Sequence, residues 1–149
     1  MRDQPDTEVE LRARALRLLA RREHSRSELA RKLSRYAQSP EALDVLLLDL
    51  EKRKQLSDER FAAERARRLS RKYGAARIRQ DLKSRGVDPE LIGRVSTAGD
   101  LERARAILER KFRAAATTRE QRAKRMRFLQ SRGFSFDVIR SLLSSRDAD

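Results

Sequence analysis

Apolar residues recur along this chain at the three- and four-residue spacing of amphipathic helices, and the breaks between stripes are short. Val9, Ala13, Leu16 and Ala20 predict a first helix with one apolar face. Ser25 opens a second, where Glu28 three residues on completes a capping box and Leu29 and Leu33 face inward. Ser39, Pro40 and Glu41 supply an N-cap, a first-turn proline and an acid that suits the helix dipole, so a third helix starts there. Its Leu43, Leu46, Leu47 and Leu50 form the most apolar stretch of the chain, and this helix is expected to be the most buried. Phe61, Ala62, Ala66 and Leu69 predict a helix over 57–71; Ala75, Ile78 and Leu82 one over 74–85; and Asp88-Pro89-Glu90 starts another. Leu101, Ala104 and Leu108 mark a seventh, and Ala123, Met126 and Leu129 an eighth. Ser135 with Asp137 caps a ninth that carries Val138, Ile139 and Leu142.

The stripes repeat. Leu82-Lys-Ser-Arg-Gly-Val87 followed by Leu91 and Ile92 matches Leu129-Gln-Ser-Arg-Gly-Phe134 followed by Val138 and Ile139. Leu33 and Leu43 fit a looser first copy, in which Ala37 stands where Gly86 stands in the second. Arg-Ala-Arg also recurs, after Leu11, Glu64 and Glu102. The expected architecture is therefore all-α: three tandem three-helix repeats, helix-turn-helix-like, in an elongated, curved array. Their boundaries are drawn at 11–55, 56–98 and 99–149, behind an acidic segment over 1–10. Strict alignment of the third copy sets Arg125 opposite Ile78, and a one-residue slip would put Met126 there instead. Units of this size are marginal alone, so Phe61, Tyr73, Phe112, Phe128, Phe134 and Phe136 are expected in the cores and seams of the copies.

Composition then narrows the function. The 149 residues hold 37 Lys and Arg against 23 Asp and Glu, a net charge of +14. High charge with 5% aromatics resembles disorder, but five Gly, three Pro and regular apolar spacing argue for nearly continuous helix. By segment the charge is −3 over 1–10, then +6, +5 and +6 over the three copies. A basic excess shared among the copies suits an extended polyanion. Self-solvation by pairs such as Glu64 with Arg68 is the plainer alternative, though the acids are too few for it. No apolar run approaches the roughly 18 residues of a membrane span, and no leader-like segment is evident, so a cytoplasmic protein with no membrane partner is expected. The absence of Cys removes thiolate zinc sites and Cys nucleophiles, and a single histidine, His24, removes multi-His metal sites and leaves little for ordinary general-base chemistry. Glu41, Glu90 and Asp137 sit at helix starts as dipole partners. No catalytic, cofactor or metal residue is assigned, and no enzyme activity is expected.

The candidate binding residues are Arg31, Lys32, Arg77, Lys83, Arg85, Lys124, Arg125 and Arg132. Arg77 and Lys124 share one repeat offset, as do Arg85 and Arg132. Arg77, Lys83, Lys124 and Arg125 fall on or beside polar faces of second helices. Arg85 and Arg132 precede glycines at helix C-termini, where a structural role competes with a binding one. Major-groove reading by third helices is disfavoured, because residues 39–50 carry no Lys or Arg.

The run Leu18-Leu-Ala-Arg-Arg-Glu-His-Ser-Arg-Ser-Glu-Leu29 and the link Leu56-Ser-Asp-Glu-Arg-Phe-Ala62 resemble the bacterial RecX regulatory family, as do Gly74, Ile78, Leu82, Gly86 and Val87. The likeness covers about residues 9–145 and is weaker in the third copy. It implies three tandem three-helix repeats and no catalytic residues. It further implies a modulator that lies in the groove of the RecA recombinase filament on DNA; a monomer is expected. Such a protein limits filament growth, ATP hydrolysis, strand exchange and the repressor cleavage of the SOS response. Single- or double-stranded DNA is the second implied partner. A stand-alone basic DNA-binding protein without a recombinase target is the alternative.

Overall fold

The computed structural model describes residues 4–147. Among them are nine helices and no strand: α1 (Glu8–Arg21), α2 (Arg26–Leu33), α3 (Pro40–Lys52), α4 (Asp58–Leu69), α5 (Ala75–Ser84), α6 (Pro89–Gly93), α7 (Asp100–Lys111), α8 (Arg119–Ser131) and α9 (Phe136–Asp147). The first three residues of the acidic N-terminal segment, and the last two of the third repeat, lie outside the described residues.

Local capping chemistry sets most helix starts. Thr7 and Glu10, Ser25 and Glu28, and Thr118 and Gln121 form reciprocal capping boxes. Ser39 accepts from Ala42 N–H ahead of Pro40, and Ser57 and Ser135 cap α4 and α9. Each such cap contributes about 1 kcal/mol by satisfying an N–H that the helix leaves unpaired. The middle copy's third helix is shorter than its relatives, because Gly93 ends it after five residues, and none of them is fully buried.

The chain folds as two compact units, and the division runs through α4 and α5. Unit 1 is residues 1–64 with 82–92; unit 2 is 65–81 with 93–149. The unit 1 core gathers Leu11, Ala15, Leu29, Leu33, Leu43, Leu46, Leu47, Leu50 and Leu56, so the four expected leucines of α3 are buried, but Val45 and Leu48 on its other face are exposed and the helix as a whole is not. The α1 stripe is not the expected one. Leu11 and Ala15 are the buried residues; of the expected stripe Leu16 packs against the core, whereas Val9 is 79% exposed and Ala20 is exposed. Both stripes have helical spacing, and contact with α2 and α3 selects between them. In unit 2 the core is Ala104, Ile107, Leu108, Leu129, Phe134, Ile139 and Leu142, with Phe112 edge-on to Phe128 at 5.7 Å. Phe61 and Phe134 are buried, but Phe136 stands 54% exposed beneath the guanidinium of Arg140.

The repeated Ser-Arg-Gly sequence forms a joint used twice. In unit 1 the Ser25 hydroxyl donates to Arg85 O at 2.8 Å, and Gly86 (φ +74°) packs on Ser27 at the start of α2. In unit 2 the Gly74 N–H donates to Arg132 O at 2.8 Å, and Gly133 (φ +89°) packs on Arg77 near the start of α5. Each glycine is needed twice over: for a left-handed turn, and for a gap in which a Cβ would lie less than 3.0 Å from its neighbour. In the first copy Asp6 stands at the corresponding position. Its N–H donates to Tyr36 O at 2.8 Å, and its buried carboxylate receives Arg14 Nε at 2.8 Å. Asp6 thus ties the residues ahead of α1 to the turn after α2.

Candidate functional site

Grouping charge by compact unit changes its distribution. Unit 1 holds 16 Lys and Arg against 15 Asp and Glu, net +1; unit 2 holds 21 against 8, net +13. Copies of nearly equal charge therefore assemble into one neutral unit and one strongly basic one.

Pairing follows the same division. In unit 1, Arg12 meets Asp49 at 2.6 Å, Arg26 meets Glu51 at 2.8 Å and Arg60 meets Glu23 at 2.9 Å. Arg22 and Arg85 both reach Glu28, at 3.2 and 3.0 Å. Burial alone would raise the Glu28 carboxyl, but the Arg22 hydrogen bond, the Ser25 N–H and the nearby Arg85 charge outweigh it and hold it below the ordinary carboxylate range. Unit 2 has the Arg65–Asp81 fork, at 2.6 and 3.1 Å, and the Arg103–Asp100 pair. Its other acids are too few to match the remaining cations.

Five of those cations line an open cleft of about 440 Å³, formed by Arg71, Lys72, Tyr73, Ile107, Arg110, Lys111, Phe128 and Arg132. Arg71-Lys72-Tyr73 follows the end of α4, Arg110 and Lys111 close α7, and Phe128 and Arg132 come from the end of α8. Three helix C-termini thus converge, and their carbonyl dipoles favour cations there. Arg132 is fixed in place. Its guanidinium carbon lies 5.4 Å from the Tyr73 ring and 5.1 Å from the Phe128 ring, and Nη1 donates to Lys72 O at 3.4 Å. Arg110 Nη2 donates to Arg71 O at 2.8 Å, and Lys111 Nζ sits 5.6 Å from the Phe128 ring. Arg71 and Arg110 also line a second hollow of about 600 Å³ with Ser70, Arg103, Ala106 and Glu109.

The candidates named from sequence separate on this framework. Arg77 and Arg132 come together, each 5.4 Å from the Tyr73 ring. Arg31 and Lys32 line a pocket of about 450 Å³ in unit 1 with Arg14, Leu18, Arg35 and Tyr36. Lys32 Nζ also donates to Nε2 of buried His24 at 3.0 Å, while His24 Nδ1 lies 3.0 Å from Arg22 O. Burial holds that imidazole below its ordinary range, and hence neutral and able to accept. Lys83 and Lys124 are exposed on α5 and α8 but line neither basic pocket. Arg85 combines its Glu28 ion pair with a backbone role in the joint. Arg125 is not on a polar face. It is 6% exposed, donates to Ala114 O at 2.7 Å and lies 4.7 Å from the Phe112 ring. The strict repeat register therefore holds, with Arg125 buried where Ile78 is buried, and Met126 does not slip into its place. Arg71, Lys72, Arg110 and Lys111 were not singled out from sequence. Their signal was two Arg-Lys pairs at helix ends, one of them directly before Tyr73.

Models of the first, second and third three-helix domains of RecX match residues 12–46, 57–95 and 98–143. The regulatory protein RecX of Herbaspirillum seropedicae is 46% identical over 139 residues, covering 91% of this chain and 90% of that one. The RecX of Herminiimonas arsenicoxydans is 42% identical over 143 residues, 94% of this chain and 95% of the other. The crystal structure of RecX from Lactobacillus salivarius shares the fold, with a TM-score of 0.84 over 95% of this chain and 97% of that one, at 18% identity.

Proposed function

The chain belongs to the RecX family of regulatory proteins, and we propose that it binds the RecA recombinase filament on DNA and restrains it. The restraint falls on filament growth, ATP hydrolysis, strand exchange and filament-stimulated repressor cleavage. The observation that carries this reading is the run of three consecutive RecX domain matches, which together span all three helical copies. The charge partition supports a contact with the nucleic acid of the filament. A +13 unit is attracted to a phosphate-lined polymer from a distance, and that attraction is screened by salt. In this reading Arg77, Lys124 and Arg132 take part, since the first two are exposed and Arg132 lines the basic cleft, whereas buried Arg125 serves the fold. Several weak contacts on linked helical units add through effective concentration, which favours slow release from a filament over release from an isolated protomer. The chain needs no catalytic group for this. Occupying the filament is sufficient.

The test is DNA-dependent ATP hydrolysis by RecA of the same organism, titrated with the purified chain. Hydrolysis should fall at or below one chain per recombinase protomer. Unchanged hydrolysis together with tight binding to bare DNA would replace this reading with that of a stand-alone DNA-binding protein.

A further inference from the structure

We propose that the cleft at the converging ends of α4, α7 and α8 is a site for the phosphodiester backbone of a single nucleic-acid strand. This rests on the DNA contact in the reading above and gives that contact a specific seat. Arg71, Lys72, Arg110, Lys111 and Arg132 line one cleft, and no carboxylate lines it with them. Among the described residues none of the five is in an ion pair, whereas Arg65 and Arg103 of the same unit are. Five like charges around one hollow repel one another, and an anion in the hollow removes that repulsion.

The kind of anion follows from geometry. Arg132 and Arg110 are held by the main-chain carbonyls of Lys72 and Arg71, so these guanidinium groups reach an incoming phosphate already oriented. Arg71 and Lys111 are exposed and adaptable. The hollow is open, and two of its cations, Arg71 and Arg110, also line a neighbouring hollow, which Glu109 lines with them. An open hollow with several cations suits a polymer with repeated charges better than a small enclosed ligand. Tyr73 and Phe128, both half-buried, line the cleft among the cations. Cations interleaved with aromatic rings are the combination by which proteins hold unpaired strands.

The experiment uses the full chain and a fluorescent thymidylate oligonucleotide, with anisotropy read over a range of salt. Arg71→Gln with Lys111→Gln removes two exposed charges whose side chains make no protein hydrogen bond. This variant should keep parental helicity, bind at least tenfold more weakly, and lose about 1.4 from the slope of log K against log salt, at roughly 0.7 per strand phosphate contact. Arg17→Gln with Lys52→Gln removes the same charge from exposed positions of unit 1 and should change affinity less than threefold. Arg71→Lys with Lys111→Arg should retain binding. Equal losses in the two glutamine variants would show a diffuse field rather than a site, and an unchanged Arg71→Gln/Lys111→Gln variant would show no site at all. Stronger competition by a duplex of equal length, or displacement by micromolar pyrophosphate, would overturn the single-strand assignment. Inhibition of RecA hydrolysis by the parent chain is scored separately, so loss of this cleft assignment leaves the filament reading standing, and the reverse also holds.

Discussion

Replacing Gly86 with alanine should loosen the unit 1 joint by an amount that the local geometry sets. At φ +74° an L-residue costs about 1 kcal/mol more than glycine. The new methyl would also lie less than 3.0 Å from both Cβ and Oγ of Ser27. Oγ can rotate away, but Cβ is fixed by the backbone, so the start of α2 has to move, at about 1–3 kcal/mol for overpacking. That movement strains the Ser25–Arg85 hydrogen bond, itself worth about 1 kcal/mol. The total for Gly86→Ala is about 3 kcal/mol. Ser27→Gly alone should cost about 0.5–1 kcal/mol as a glycine near a helix start. In the double variant the obstruction is gone and only the backbone terms remain, so a total of about 2 kcal/mol is expected, leaving a favourable coupling of about 1–2 kcal/mol. Urea unfolding followed by circular dichroism measures all four corners of the cycle. Additive single effects, or a Gly86→Ala variant within about 0.5 kcal/mol of the parent, would refute the close-packing argument.

Gly133→Ala should behave likewise in unit 2, where the added Cβ would meet Arg77 N at 2.6 Å, whereas Gly93→Ala, with nothing within 4 Å, should be neutral in the same urea assay. Arg125→Met should hold stability within about 1 kcal/mol, since exposed Ala114 O can turn to water, while Arg125→Glu should cost about 3 kcal/mol or more by burying a carboxylate where a cation was held. Stability should fall on acidification in two stages. Burial lowers the folded His24 imidazole below its ordinary 6.5, so the unfolded chain takes up that proton first and loss begins near pH 6.5; Glu28, depressed when folded, adds a loss at lower pH as its carboxyl protonates. His24→Asn should flatten the first stage and Glu28→Gln the second, both read from urea midpoints against pH.

The fold was legible wherever a local rule determined it. Ser25 with Glu28, and Ser39 with Pro40, mark helix starts because a cap satisfies N–H groups within one turn. The α1 face was not legible, since Val9-Ala13-Leu16 and Leu11-Ala15-Leu18 have equal claims until α2 and α3 are in place. The one-residue slip proposed around Arg125 treated arginine as a surface residue, yet its long stem and flat guanidinium can be buried against Phe112 with a carbonyl to receive it. Ala37 breaks the glycine pattern for a reason that appears only in three dimensions: it lacks the positive φ of Gly86 and Gly133, and Tyr36 O just before it meets Asp6 rather than the start of a second helix. The candidate site was half legible. Arg132 and Arg77 followed from the repeat offset, but the cleft depends on the ends of α4, α7 and α8 meeting. The even charge of the three copies concealed a division that runs through the middle of α4 and α5.

Cosedimentation tests the central claim most directly. RecA filaments assembled on single-stranded DNA with a slowly hydrolysed ATP analogue, and the same DNA alone, are pelleted with the chain at matched salt. Recognition of the filament predicts that the chain pellets with filaments at a salt concentration that releases it from bare DNA, because protein contacts are screened less than phosphate contacts. Equal pelleting with filament and bare DNA across the whole salt series would contradict it.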